Sequence, residues 1–383
     1  MVGDTYISPP RSVAARFPID WLLFFSALPL VGAGLLTMNS FAGENSFFLR
    51  QLLWVAIAIG VFFTFSFIDF HFLRRSEIIL ALFLGVGTLL LSLFLVGSVF
   101  KGSQSWLDFG WFTLQPSELA KLALVLLLAK YFSRRHVEIA HVRHIIVSGL
   151  YTAILAGLVF LQPDFGSAII ISMIWLGMAL VSGISKKHLA LVFVAALAVF
   201  SVLWFFLFKE YQRDRILTFL NPLTDIRGAG YNAYQSMIAV GSGGLFGKGV
   251  GYGTQSKLQF LPEYQTDFMF AAFSEEWGFL GVLLLFFLFG VLIWRILLAS
   301  LHGTSNFEIF FGLGLAVMIV SQFLVHVGMN IGLLPVTGTT IPFLSYGGSH
   351  LITEFAGLGI LTSMRRYSRG VHREDMSKEF LGI

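Results

Sequence analysis

Ten apolar runs are spread along the chain: Ile19–Met38, Leu52–Ile68, Ile78–Phe100, Leu119–Phe132, Ile145–Leu161, Ala168–Ile184, Leu189–Phe208, Phe268–Ile296, Ile309–Val327 and Leu351–Met364. About 20 apolar residues in a helix cross about 30 Å of hydrocarbon. Most of the runs meet or approach that length. The fourth and tenth are short, and reach it only if the polar flanks Gln115–Glu118 and Ser345–His350 lie at membrane depth inside a bundle. The pattern predicts an all-α polytopic membrane protein of about ten transmembrane helices, a single transmembrane domain over 1–383.

Lys and Arg orient it. Arg11 and Arg16 precede the first run, and Arg74 and Arg75 follow the second. Arg134, Arg135 and Arg143 separate the fourth from the fifth, and Lys186 and Lys187 the sixth from the seventh. Arg295 ends the eighth, and Arg365, Arg366, Arg369 and Arg373 follow the tenth. Every second connection is basic, which places those ends and both termini in the cytoplasm.

The remaining long segment, 209–267, is then a large outer loop between the seventh and eighth spans. Its Lys209, Arg213, Arg215, Arg227, Lys248 and Lys257 depart from the charge rule, from which long loops are largely exempt. Tyr211–Leu220 mixes charge with Ile216, Leu217, Phe219 and Leu220 and reads as an interfacial amphipathic helix. A glycine-rich stretch, Gly228–Gly253, follows. Gln115-Pro116 and Gln162-Pro163 open spans at the same face, too little to establish an internal repeat.

Composition agrees: 56% of residues are hydrophobic and 12% charged, about half the charged fraction of a soluble domain. The absence of Cys excludes disulfides, thiolate metal sites and a Cys nucleophile. The net charge of +4 reflects the membrane pattern and does not point to a nucleic-acid partner. The stretch 1–16 is polar and the first run is too long for an h-region, so no cleavable signal peptide is expected.

Ionisable groups within or beside spans face the bundle interior and are the first functional candidates. Thr266-Asp267-Phe268 stands where the outer loop enters the eighth span. At about 100° per residue, Asp267, Ala271, Ser274 and Gly278 share a small, polar face that should look into protein or water. Asp267 reads either as a helix cap or as a general base. Gln115-Pro116-Ser117-Glu118 suits a helix start, and Lys121 is placed to pair with Glu118, as a structural bond or as a lipid or phosphate site. Glu275 and Glu276 read as structural bonds to a neighbouring helix. Gln322, His326 and Asn330 form a stripe suited to interhelical hydrogen bonding.

Two irregular stretches complete the inventory. Gly332–Pro335 and Ser345–Ser349 give an outer segment able to dip into the bundle. Gly241–Gly249 hints at a phosphate loop, but Ser242 and Gly249 break the Walker pattern and no strand precedes it. Nucleotide binding is rejected, and the loop's N–H groups remain a receiver for a diphosphate.

Taken together, these motifs resemble one family. Gln115-Pro116-Ser117-Glu118 with Lys121, Gln162-Pro163-Asp164-Phe165-Gly166, and Gly230-Tyr231-Asn232 running to Gly251 match in order and spacing. So do Leu261-Pro262-Glu263 with Thr266-Asp267-Phe268, and Met329-Asn330 through Pro342 to Ser345-Tyr346-Gly347-Gly348-Ser349. The chain is similar to the SEDS proteins (shape, elongation, division and sporulation), and to the RodA members more than the FtsW ones, from about Asp20 to Arg369.

The resemblance implies a ten-helix peptidoglycan glycosyltransferase that polymerises lipid II at the outer face of the bacterial inner membrane. It also implies a class B penicillin-binding protein as crosslinking partner, among other elongation-complex membrane proteins. The family's essential Asp carries over to Asp267, and its cavity Glu and Lys to Glu118 and Lys121. Three positions depart from it. Ser105 stands before Trp106 where many members have Arg, Asn221-Pro222 where many have Asp-Pro, and His350 where many have a second Ser.

Such a transfer joins a sugar hydroxyl to an anomeric carbon whose leaving group is a polyprenyl diphosphate, so one carboxylate base, Asp267, suffices. The developing charge needs cations: Lys121 first, then Arg213, Arg215, Arg227 and Lys248, or a divalent cation such as magnesium or manganese. A lipid II flippase or transporter is the alternative, for which Glu275, Glu276 and the Gln322–Asn330 stripe would serve near the midplane. A scaffold for the crosslinking enzyme, with no need of Asp267, is the third reading.

Overall fold

The computed structural model describes residues 19–40, 45–100, 103–110, 112–134, 142–208, 210–220 and 230–368. Arg11, Arg16, Arg135, Lys209, Asn221, Pro222, Arg227, Arg369 and Arg373 lie outside the described residues, as does the start of the glycine-rich stretch.

Every predicted span is a helix. In chain order these are α1 (Trp21–Asn39), α2 (Asn45–Phe67), α3 (Ser76–Val96), α4 (Pro116–Ser133), α5 (Val142–Leu161), α6 (Phe165–Val181) and α7 (Lys186–Val202), which runs on into a π turn, Leu203–Leu207. The outer segment contains α8 (Glu210–Leu220), α9 (Tyr231–Ser242) and α10 (Thr254–Lys257). Then follow α11 (Met269–Leu301), α12 (Asn306–Asn330) and α13 (Gly348–Ser368). By length and composition seven of these are fit to cross a membrane: α1, α2, α3, α5, α7 with its π turn, α11 and α12. α6 is apolar but shorter.

α4 shows why a short, charged helix is tolerated. It packs against α3, α5, α6, α12 and α13, and all of it from Pro116 to Ala129 except Leu119 is buried. Protein, not lipid, surrounds Glu118 and Lys121, as the short-span argument required. α7 is the opposite case, a peripheral helix with no buried residue. α2 packs along α13, and α1 along α11.

One end of the bundle gathers the charges expected to share a face. Asp20 caps α1 through the Leu23 N–H (3.1 Å) and pairs with Arg295 at 2.8 Å near the end of α11, and with Arg365 near the end of α13. Arg74 pairs with Glu308, in the first turn of α12, at 2.7 Å.

Two features add detail to the expected all-helical fold. First, the chain is not purely helical: β1 (Ser98–Phe100), β2 (Ser103–Asp108) and β3 (Thr113–Leu114) form a small antiparallel sheet in order β1-β2-β3. It is tied to the α5–α6 junction, where Ser103 and Ser105 hydroxyls donate to the Gln162 carbonyl at 3.0 and 3.3 Å.

Second, α11 is broken at Gly278 (φ 66°, ψ −170°). The stretch 279–301 is long enough alone to cross about 30 Å of hydrocarbon. The shared face expected for Asp267, Ala271, Ser274 and Gly278 therefore ends at the break, and Glu275 and Glu276 stand just before it, at the head of the span.

Candidate active site

The turn carrying Asp267 is built from backbone. The N–H groups of Thr266 and Phe268 both donate to the Glu263 carbonyl, at 3.1 and 3.2 Å, with Glu263 itself at φ 51°. α11 begins at Met269, its cap position is Phe268, and no side chain caps it. The cap reading of Asp267 is thereby overturned, and the reason lies on α12. Phe270 N–H donates to His326 Nε2 at 3.4 Å and Ala271 N–H to Asn330 Oδ1 at 3.2 Å. Two of the first turn's donors are met by another helix.

His326 has Nδ1 2.7 Å from the Thr339 carbonyl, so Nδ1 carries the proton and Nε2 accepts. Asn330 donates from Nδ2 to the Asp267 carbonyl at 3.0 Å and to the His326 carbonyl at 2.8 Å. The Ser236 hydroxyl of α9 donates to the Asn330 carbonyl at 2.9 Å. His326 and Asn330 are fully buried, while Asp267 is half-buried. Two members of the polar stripe on α12, His326 and Asn330, make the interhelical bonds expected, while the buried Gln322 Oε1 has no hydrogen-bond partner among the described residues. What the two bonded members hold is the peptide of Asp267.

The glycine-rich stretch packs on the break in α11. Lys248 and Gly249 N–H groups donate to the Glu275 and Glu276 carbonyls, both at 3.0 Å, while Phe279 and Leu280 N–H groups donate back to Gly244 and Leu245. A Cβ on Gly247 would stand 2.1 Å from the Glu276 carbonyl oxygen, and one on Gly243 2.2 Å from that of Ser274. These glycines exist for backbone contact. The N–H groups of Gly247, Lys248 and Gly249 are thus already bonded within the protein, which corrects their expected role as a diphosphate receiver.

The two glutamates at the break differ in partners. Glu275 accepts from Lys248 Nζ (2.7 Å) and from the Thr254 (2.9 Å) and Gln255 (3.1 Å) N–H groups at the start of α10, the structural bond to a neighbouring helix that was expected. Glu276 accepts from Ser40, the C-cap of α1, at 2.5 Å and from Gly251 N–H at 3.0 Å.

Inside the bundle, Lys121 Nζ donates to Glu118 Oε1 at 2.6 Å, the pair expected from their spacing. Glu118 Oε2 lies 3.0 Å from His350 Nδ1, and His350 Nε2 lies 2.9 Å from Glu354 Oε1. None of the four side chains is more than 6% exposed. Beside them the two Gln-Pro motifs meet: Asp164 caps α6 at Ser167 N–H and accepts from Gln115 Nε2 (3.1 Å) and the Ser117 hydroxyl (3.2 Å).

The segment Ser345–His350 joins the buried cluster to the Asp267 turn. At one end the Ser345 hydroxyl donates to the Thr266 carbonyl and Tyr346 N–H to the Gln265 carbonyl, each at 2.8 Å. At the other, His350 meets Glu118. The stretch before it dips into protein as expected, with Thr337, Thr339, Ile341, Phe343, Leu344 and Ser345 buried.

Asp267, Glu118 and Lys121 are therefore parts of one connected assembly. Lys248 belongs to the loop lock with Glu275. Arg213 and Arg215 lie on α8, where Arg213 donates to the Phe205 carbonyl at 3.3 Å and Arg215 is exposed. The sequence reading missed Glu354, although an acid one helical turn beyond His350 in an apolar run was the available signal. Among the described residues no group of three or more His, Asp or Glu side chains is arranged to hold a metal ion.

Fold and site together define a polytopic helical membrane protein with a buried ionic cluster tied to a half-buried carboxylate at the mouth of one span. The model of the FtsW/RodA/SpoVE cell cycle proteins matches residues 17–370. The chain belongs to that family. It is 40% identical over 282 residues to the peptidoglycan glycosyltransferase MrdB of Escherichia coli K12, covering 74% of this chain and 75% of that one. It is 37% identical to stage V sporulation protein E of Bacillus subtilis, covering 91% and 98%. Among solved structures it is similar to rod shape determining protein RodA of Thermus thermophilus (TM-score 0.69, 29% identity, 94% and 99% covered). It is also similar to a chain of a peptidoglycan synthase complex that coordinates polymerization and crosslinking (TM-score 0.79, 31% identity, 91% and 98% covered).

Proposed function

We infer that the chain is a peptidoglycan glycosyltransferase that polymerises lipid II at the outer face of the bacterial cytoplasmic membrane and serves cell elongation. The family match over nearly the whole chain supports this, and so does the name of its relative MrdB. The observation that carries the chemistry is the position of Asp267, fixed through its carbonyl by Asn330 while its side chain stays half-buried rather than enclosed.

In the reaction, the GlcNAc 4-hydroxyl of one lipid-linked disaccharide attacks the anomeric carbon of another. Asp267 takes the hydroxyl proton as the new C–O bond forms, and the bond to the polyprenyl diphosphate breaks. Lys121 is the buried cation proposed to meet the diphosphate's charge, with Arg213, Arg215 and Lys248 as outer contributors. Lys248 must share its charge with Glu275, which makes it the weakest of these.

A divalent cation at the diphosphate stays a proposal. With no preformed cluster of ligands among the described residues, the substrate's own oxygens would supply most of its coordination, and its chemistry would be charge neutralisation. A class B penicillin-binding protein is the proposed partner, because a structural relative works in a complex that couples polymerization to crosslinking.

The test is polymerisation of purified lipid II by the chain with such a partner, wild type beside Asp267→Asn. Removing a general base lowers the rate by about 100-fold or more, with the variant folded and in the membrane. Strands of wild-type yield from Asp267→Asn would sink the assignment of the base. No strands from either, with lipid II crossing proteoliposome membranes, would favour the flippase.

A further inference from the structure

Lys121 and Glu118 would make a self-sufficient pair, one cation against one anion. The chain nevertheless buries a second carboxylate beside them. Glu354 is fully buried one turn after His350 on α13, and its Oε2 accepts the Phe343 N–H at 2.8 Å. His350 stands between the two carboxylates, 3% exposed, with Nδ1 3.0 Å from Glu118 and Nε2 2.9 Å from Glu354. Each ring nitrogen lies at ion-pair distance from a carboxylate oxygen, Nδ1 in hydrogen-bond geometry with Glu118 and Nε2 beside Glu354 by charge alone, so the two acids are balanced when the ring is a cation. The cluster then sets two cations against two anions.

This balance constrains Glu118. One of its oxygens meets Lys121 and the other meets His350, so neither is free to swing. His350 is held in turn by Glu354. His350 also ends the segment whose other end is bonded to Thr266 and Gln265, so the residue that fixes Glu118 is tied to the turn of Asp267.

We propose that His350 and Glu354 form a coupled pair of positioning residues that hold Glu118, and through it set where Lys121 presents its ammonium to the substrate's diphosphate. The inference rests on the reading of Lys121 as the diphosphate's buried cation. Neither residue touches the substrate. Without the imidazole, one lysine serves two buried carboxylates, and the uncompensated anion draws it out of place. Removing both members of the pair restores the balance.

The experiment uses the purified full-length chain as wild type, His350→Ser, Glu354→Gln and the double variant. Binding of undecaprenyl diphosphate and the kcat and KM of lipid II polymerisation are measured on each. His350→Ser weakens undecaprenyl diphosphate binding and lowers kcat/KM by about tenfold, and the double variant recovers most of both losses.

Wild-type binding by His350→Ser overturns the proposal, as does a double variant as weak as the single one. Should His350→Ser fail to fold, the double variant decides alone, and tenfold weaker binding than wild type overturns the coupling. A wild type that binds no undecaprenyl diphosphate overturns it too. A wild type that binds but makes no strands sinks the transferase reading and leaves the binding comparison to judge the pair.

Discussion

Asn330 donates a hydrogen bond from Nδ2 to the carbonyl of Asp267 at 3.0 Å, from a fully buried position on a different helix. The same amide accepts from Ala271 N–H, so one side chain brackets the start of α11 from both sides. The candidate base is held by its peptide, through the Asn330 amide.

Asn330→Ala removes both contacts and leaves a buried N–H and carbonyls without partners. Each such group costs about 1–3 kcal/mol, so the detergent-solubilised protein should lose about 2–4 kcal/mol of stability. Polymerisation should fall by more than the folded fraction does, because the turn of Asp267 loosens. Specific activity per folded molecule, measured beside a thermal melt, checks this, and unchanged specific activity would show the clamp to be purely structural.

Lys121→Ala alone leaves the buried Glu118 and Glu354 to share one cation, His350, and breaking a buried pair from one side costs about 3–5 kcal/mol. Lys121→Met with Glu118→Gln removes both charges at similar volume and should fold within about 1–2 kcal/mol of wild type. If Lys121 meets the diphosphate, that folded double variant still fails to use lipid II at ordinary concentrations. Polymer of normal length and yield from it would make the lysine structural.

Gly247→Ala places a Cβ 2.1 Å from the Glu276 carbonyl oxygen at a residue with φ +79°. The left-handed backbone alone costs a non-glycine residue about 1–2 kcal/mol, and the clash forces the loop off the break in α11. Limited proteolysis should cut the 244–257 stretch faster than in wild type, with a lower melting temperature. Gly241→Ala, where a Cβ meets nothing within 4 Å, is the control and should change neither.

The span pattern was legible because lipid enforces it: a chain that must satisfy its own backbone in hydrocarbon writes apolar runs of helical length into its sequence. The Glu118–Lys121 pair was legible for a local reason, since residues three apart on a helix are neighbours whatever the fold does. The same locality shows why His326 and Asn330 could be read as part of a bonding stripe while the object they bond could not.

Other features depended on contacts between segments far apart in the chain. The break at Gly278 arises where Gly243 and Gly247, on another segment, approach the α11 backbone closely, and a lone glycine in an apolar run gives no sign of that. Asp267 looked like a cap because a cap is the local solution. Two of the donors at the start of α11 are instead met by His326 and Asn330, which lie 56 and 59 positions further along from their partners.

What the sequence determined by itself was the membrane architecture, the family and the residue types able to do the chemistry, because periodicity, local pairing and motif order are properties of the chain. Only the tertiary structure decided which side chains share a cluster. Glu354 joins Glu118 across two helices, and Ser345–His350 carries that cluster to the turn of Asp267. The physical reason is that a buried charge is tolerated only with a partner at hydrogen-bond distance, and packing brings that partner there.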